Sequence, residues 1–297
     1  MGRSGPKSPP LTLVPHPLRG EGEELPRPEA ASAAGVLQRA ADCIERGVPA
    51  ALATVLARHG SAPGTPGQKL LLGLDGTCLG TVGGGAVERE VLTELGRFLR
   101  ADRGAKPSHE VRTFKLGAEL GMCCGGRVEV LLEPLAVRTP CLVVGGGHVA
   151  TALGPLLAKL GFAVTVVDGR EGWGDEGRLA GPGLRAVPGD YDEVGREVDP
   201  RGACLVMTHD HALDQAAVEW ALRRGFAFVG GVGSRAKAER TRQRLEAKGF
   251  PEADRARLRM PVGLDIGARL PDEIAVAIAA ELVAWRTASS AAADASG

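Results

Sequence analysis

Aromatic side chains are scarce in this chain of 297 residues, making up only 3% of it. That scarcity argues against a platform on which nucleic-acid bases stack and against an aromatic-rich β-sandwich. Net charge is also missing, because 36 Lys and Arg balance 36 Asp and Glu. No global field therefore recruits nucleic acid or an anionic membrane, and neither is an expected partner. No segment reaches the roughly 18 uninterrupted apolar residues of a membrane-spanning helix. The first 30 or so residues have neither the apolar core nor the cleavage-like site of a secretory signal. The six cysteines are too few and too irregularly spaced for a disulfide framework, and they suit a reducing cytoplasm. Glycine, by contrast, is abundant, with 43 residues. It points to many close backbone approaches, as in an α/β protein long enough for two domains.

The pattern along the chain divides it in two. Proline punctuates the start at Pro6, Pro9, Pro10, Pro15, Pro17, Pro26 and Pro28, so residues 1–30 read as a disordered tail. Leu37, Ala40, Ala41 and Ile44 repeat at helical spacing up to Gly47, a natural helix stop. A strand is expected over 50–57, then a Gly/Ser/Pro loop over 60–67. Two short apolar runs follow, 69–74 and 77–82, joined by Asp75-Gly76, a dipeptide that tolerates the positive φ of a tight hairpin. Gly83-Gly84-Gly85 opens a helix with Val87, Val91, Leu95 and Leu99 on one face. Strands are expected at 110–115 and 127–135. From residue 138 the rhythm changes to apolar runs at 141–144, 163–167, 203–207 and 227–229, separated by helical patterns, as in a parallel sheet covered on both faces. Pro271, Asp272 and Glu273 signal the start of a last helix that faces Ile274, Ile278 and Leu282 inward. The expected fold is thus α/β: a small N-terminal α+β domain (31–137), a Rossmann-like parallel-sheet domain (138–287) and a short Ala/Ser-rich tail (288–297).

Several loops carry chemistry. Cys123 and Cys124 sit among Gly121, Gly125 and Gly126, which give a bulky ligand access to the sulfurs, and Arg127 favours a thiolate. Such a sulfur suits a soft metal or sulfur transfer. Gly145, Gly146, Gly147, His148 and Ala150 form a GxGxxA turn between a strand and a helix. Its free N–H groups and positive helix end accept a phosphate, while Asp168, ending the next strand, is placed to hold a ribose hydroxyl. NAD(P) is the ligand this fingerprint brings to mind, although the fold does not dictate it. His209 and His211 follow another parallel strand and are placed for an anion, a substrate or a metal. Asp210 or Thr208 is a candidate cap for the next helix. Gly230, Gly231, Gly233, Ser234 and Arg235 open a helix in a way that favours phosphate, and the charges farther along that helix read as a solvated face. The loop 60–67 and Gly83, Gly84 and Gly85 are able to clasp a flat or phosphorylated ligand. Glu88 balances the positive end of its helix or faces that ligand. Cys43, Cys141 and Cys204 read as packing residues, and Cys78 has no assigned role.

The segments GSAPGTPGQKLLL, GTVGGGAVEREVL, GMCCGGRVEVLLEPL, VVGGGHVATAL, VTVVDGRE, MTHDHALD and GGVGSRAK occur in an order that resembles the XdhC/CoxI family. The resemblance runs from about Ala50 to Trp285. The family's members are accessory proteins for xanthine dehydrogenase and related molybdenum hydroxylases. It implies an N-terminal domain joined to a Rossmann-like domain, usually in dimers. It further implies a cytoplasmic chaperone, rather than an enzyme, that binds molybdenum cofactor, protects it while a cysteine desulfurase installs its terminal sulfur, and hands it to the hydroxylase. Carried over, Cys124 matches the family's Cys-Gly-Gly element and becomes the metal-facing residue, and Cys123 occupies a more variable place. Gly84, Gly85, Gly125, Gly126, Gly145, Gly147, His148, Asp168, His209, His211, Gly233, Ser234 and Arg235 become cofactor-binding candidates. The basic residue that many relatives carry near Gly64 is missing. An NAD(P)-dependent oxidoreductase using Gly145, Gly147 and Asp168, and a purely structural assembly adaptor, are the rival readings.

Overall fold

The computed structural model describes residues 26–100, 109–116, 126–174 and 179–294. Cys123, Cys124 and Gly125 lie outside the described residues.

The front half is a five-stranded antiparallel sheet between two helices. Helix α1 (Ala33–Arg46) starts at Ser32, whose hydroxyl accepts from the Gly35 amide, and stops at Gly47 in the left-handed conformation, φ 68°. A side chain at Gly47 would be strained there. The strands are β1 (Ala50–Gly60), β2 (Lys69–Gly73), β3 (Cys78–Gly80), β4 (Glu110–Leu116) and β5 (Gly126–Pro134), in the order β3-β2-β1-β5-β4. Strand β1 continues past the expected residue 57 because, after a bulge between Val55 and Ala57, His59 pairs with Arg127 and Gly60 with Gly126. Helix α2 (Gly85–Arg100) buries Val87, Val91, Leu95 and Leu99 against Ala53, Val55, Val128 and Val130 on one face. Helix α1 covers Leu52 and Leu71 on the other. The expected tail already pairs at its end, where the Glu29 amide donates to Cys78 and its carbonyl accepts from Gly80.

The rear half alternates β6 (Thr139–Val144), α3 (His148–Lys159), β7 (Phe162–Asp168), β8 (Ala180–Gly181), β9 (Leu184–Pro188), α4 (Tyr191–Val194), β10 (Ala203–Val206), α5 (His211–Arg224), β11 (Phe228–Gly231), α6 (Arg235–Ala247), α7 (Glu252–Arg255), β12 (Leu258–Arg259) and α8 (Pro271–Asp294). Its sheet order is β12-β11-β10-β6-β7-β9-β8, parallel except for β8. Numbered from β6, the six parallel strands run 3-2-1-4-5-6, the doubly wound dinucleotide-binding order. Helices α3 and α8 cover one face through Leu153, Leu157, Ile278 and Leu282. Helices α5 and α6 cover the other through Val218, Leu222 and Leu245. Strands β8, β9 and β12 escaped the sequence reading because they are too short or too polar to show a run. The halves meet at the N-terminal ends of β6 and β7. There Arg138 donates to both oxygens of Glu45, at 3.0 and 3.3 Å, and to the Ala158 carbonyl at 2.7 Å.

Candidate functional site

The strand order reverses between β6 and β10, so the loops after these two strands part and leave a crevice. Gly145 makes this possible. Its φ is 102°, and an added Cβ would lie 2.7 Å from the Met207 carbonyl oxygen. At Gly147, the N-cap of α3, a Cβ would meet nothing within 4 Å and no side chain caps the helix. The cleft that opens here has a volume of about 470 Å³, within the range of small-molecule sites.

The first turns of four helices reach it: Gly147, His148 and Val149 of α3, His211 of α5, Ser234 and Lys237 of α6, and Pro271 of α8. Each helix start carries partial positive charge. His148, His211, Lys237 and Arg240 add titratable or fixed cations, and no carboxylate is among the described lining residues. The arrangement suits an anion with more than one negative oxygen, such as a phosphate.

Lys237 forms the floor. Its ammonium bonds to the Asp214 carboxylate and to the Val232 carbonyl at 3.0 Å. Asp214 is 3% exposed and also accepts from the Thr208 amide at 3.0 Å and hydroxyl at 2.7 Å. This network ties the loop after β10 to the loop after β11. Asp210 caps α5 through the Ala212 amide at 2.7 Å, and Ser234 caps α6 through the Lys237 amide at 3.2 Å.

The structure brings Gly147, His148, His211, Gly233 and Ser234 together at the cleft, as the sequence placed them. His209 is exposed and outside the lining. Arg235 also points away, with its side chain 90% exposed beside Asp265. The α6 cations that line the cleft are half-buried Lys237 and exposed Arg240, and the charges farther along the helix are exposed, as expected of a solvated face. The signal was available: positions 234, 237 and 240 share one helical face.

Asp168 has an engagement the sequence did not foresee. It accepts from the Gly146 amide at 2.8 Å, the Arg170 amide at 3.0 Å, and Arg170 Nε and Nη2 at 3.0 and 2.6 Å. Burial pushes its pKa up, but these hydrogen bonds outweigh burial and hold it at about 2. Arg170 in turn stacks on Trp173, 4.5 Å from the ring centroid. The Trp173 carbonyl oxygen lies 2.7 Å from where a Cβ on Gly146 would sit. A ribose hydroxyl would have to displace Arg170, and a pyrophosphate at Gly146 would have to displace the Trp173 loop.

In the front half the glycine loops also converge. Gly126 lies against Ala62, and Gly83 against Gly64, each so closely that a Cβ would come within 3 Å of backbone. Gly84 and Gly85, both at positive φ, have open space where side chains would be. Glu88 fixes this turn by accepting from the Thr81 hydroxyl at 2.5 Å. The thiols of Cys43, Cys78, Cys141 and Cys204 are all buried. Burial raises the pKa to about 12 for Cys43, Cys78 and Cys141 and also raises it for Cys204.

Two family models match the sequence, one described as the XdhC and CoxI family over residues 43–112 and one as the XdhC Rossmann domain over residues 141–282. The chain belongs to the XdhC and CoxI family. Among its relatives is an uncharacterized protein of Escherichia coli K12, YqeB, 32% identical over 84% of this chain and 46% of that protein. Another is a probable subunit of the xanthine dehydrogenase of Bacillus subtilis, 31% identical over 53% of this chain and 46% of that protein. The chain thus spans about half the length of these curated relatives. A crystal structure described as a xanthine dehydrogenase from Bacillus halodurans aligns over 87% of this chain and 96% of that one, at 19% identity and a TM-score of 0.45. Among the described residues, no helix is long and apolar enough to cross a membrane.

Proposed function

We propose that this protein is a cytoplasmic accessory protein of a xanthine dehydrogenase-type molybdenum hydroxylase, and that it carries molybdenum cofactor as cargo rather than catalysing a reaction. The observation that carries the reading is the cleft at the strand-order reversal, where four helix starts and His148, His211, Lys237 and Arg240 line a space with no carboxylate among its described lining residues. That chemistry fits the phosphate end of a pterin cofactor. In this reading Cys124, with Cys123 beside it, meets the metal end, a cysteine desulfurase supplies the terminal sulfur, and the carrier works as a homodimer. The association with xanthine dehydrogenase that the name of the Bacillus subtilis relative carries is what points to the client.

The test is expression in a host that makes the cofactor, followed by assay of bound molybdenum and pterin. The expected result is co-purification of both. Arg240→Gln should lose pterin and metal together, and Cys124→Ala should lose metal or its sulfur while keeping part of the pterin. A Cys124→Ala protein loaded as fully as the parent removes the thiol from the mechanism. An NAD(P)-dependent oxidoreductase, the competing reading, draws on the strand order and the open turn at Gly145 and Gly147, while Arg170 already holds the Asp168 carboxylate. It would show nicotinamide nucleotide binding that weakens in Asp168→Ala and no retained molybdenum. A purely structural adaptor would retain neither ligand.

A further inference from the structure

A second cleft, also of about 470 Å³, lies where the two halves meet, at the N-terminal ends of the parallel strands. It is remote from the crevice at their C-terminal ends, so the strand-reversal rule does not account for it. Its lining comes from both halves: Glu45, Arg46 and Val48 at the end of α1, and Thr165, Arg185 and Glu197 among the rear-half residues.

The charges in it are unevenly satisfied. Glu45 is held by Arg138, which reaches it with two nitrogens. Arg185 donates to the Thr165 hydroxyl at 3.1 Å and to Glu197 at 3.3 Å. Arg46 is left with little. Its only ion pair among the described residues is with Asp42, at 3.9 Å, and Asp42 is also the partner of Arg39. Arg46 nonetheless keeps only 26% of its side chain exposed. Burial, and after it the charge of Arg185, lowers the Arg46 pKa. A half-buried guanidinium with no hydrogen-bonded acceptor among the described residues, lining the same cleft as a second guanidinium, is an arrangement that a bound anion relieves. Val48, Leu184 and Val198 supply apolar walls beside it.

We infer that this junction cleft is a binding site for a small organic anion, a carboxylate or phosphate on a compact apolar body, held between Arg46 of the front half and Arg185 of the rear half. The anionic oxygens take the guanidinium donors, the apolar body lies against Val48 and Leu184, and the occupant touches both halves of the chain at once. Nothing in the inference depends on the cargo reading above.

The test is calorimetric titration of the full chain with phenyl phosphate, with inorganic phosphate as the arm that lacks the apolar body. The expected result is saturable binding of phenyl phosphate with a component at least tenfold weaker in Arg46→Gln and in Arg185→Gln, beside any component from the strand-reversal cleft, whose lining also suits phosphate. Inorganic phosphate should show the component sensitive to Arg46→Gln and Arg185→Gln more weakly. No saturable binding up to 10 mM overturns the inference. So does binding in which no component responds to Arg46→Gln and Arg185→Gln. Thermal unfolding without ligand gives a second, independent reading. Arg46→Gln should unfold at the parent's temperature or above, because it removes a half-buried charge that burial and the neighbouring charge of Arg185 both disfavour. A marked fall would make Arg46 a structural residue and also overturn the inference.

Discussion

Lys237→Met should destabilise the rear half by about 2–3 kcal/mol. The substitution keeps the length of the side chain and removes the ammonium that faces Asp214. Breaking a buried ion pair by removing one partner typically costs about 3–5 kcal/mol, because the remaining charge stays buried. Two observations lower the figure here. Lys237 retains 16% of its side-chain exposure, which lets water reach the site, and Asp214 keeps both hydrogen bonds from Thr208. Adding Asp214→Asn to Lys237→Met removes the stranded charge, so the double variant should regain about 1–2 kcal/mol over the single one, a coupling typical of residues in direct contact. Urea unfolding followed by tryptophan fluorescence is a suitable assay, since all three tryptophans, Trp173, Trp220 and Trp285, lie in the rear half. A Lys237→Met protein within about 0.5 kcal/mol of the parent, or strictly additive effects in the double variant, would refute a buried ion pair at the floor of the cleft.

Asp168→Asn should weaken the protein by about 1–2 kcal/mol above pH 5, after allowance for screening at partly exposed Arg170. The folded pKa, about 2, lies below the ordinary value of 3.8, so the difference from the parent should shrink as pH falls through that interval and be lost only below pH 2 in acid-unfolding curves. Ser234→Ala should cost about 1 kcal/mol through loss of the α6 cap, read by the same fluorescence assay. Gly145→Ala should cost more than about 2 kcal/mol, since it combines a positive φ with a Cβ pressed against the Met207 carbonyl. In native protein at pH 8, a disulfide reagent should leave Cys43, Cys78, Cys141 and Cys204 unmodified, and denaturant should expose them; rapid native labelling of any of the four would contradict their burial.

The parts of this fold that were legible in the sequence are those where one physical signal acts alone. The apolar runs of β6, β7 and β10 read directly because both faces of their sheet are covered. Gly47 and the Asp75-Gly76 turn read directly because backbone geometry demands them. What was not legible depends on how the folded chain pairs its strands and turns its side chains. Arg185 sits in a strand that is made one by its partners β7 and β8 rather than by any apolar run. Asp168 has the position of a ribose-binding acid, and only the fold of the following loop shows Arg170 and Trp173 occupying that place. Arg235 looked like the phosphate ligand because it stands first in its helix, yet its side chain lies at the surface beside Asp265, and the α6 cations that line the cleft are Lys237 and Arg240.

The path of the chain also constrains how one guest meets both loop clusters. Strand β5 leaves the front glycine loops at Gly126 and arrives at the junction at Pro134, about 26 Å away at the usual rise per residue. Strand β6 then starts from the junction at Thr139 and reaches the cleft about 17 Å farther on. The contacts of Arg138 with Glu45 and Ala158, and of Gly47 with Ala163, hold the halves together at the ends of the strands remote from both clusters. A cofactor touching the front loops and the rear cleft of one chain meets both with the junction closed if β6 doubles back beside β5, and otherwise needs the halves to hinge there. The proposed homodimer removes the need, because the front loops of one copy can face the rear cleft of the other while each junction stays closed. The two arrangements differ in what Glu45→Ala does: loosening the Arg138 contact should change cargo retention if the halves must hinge, and should leave it unchanged if the second copy completes the site.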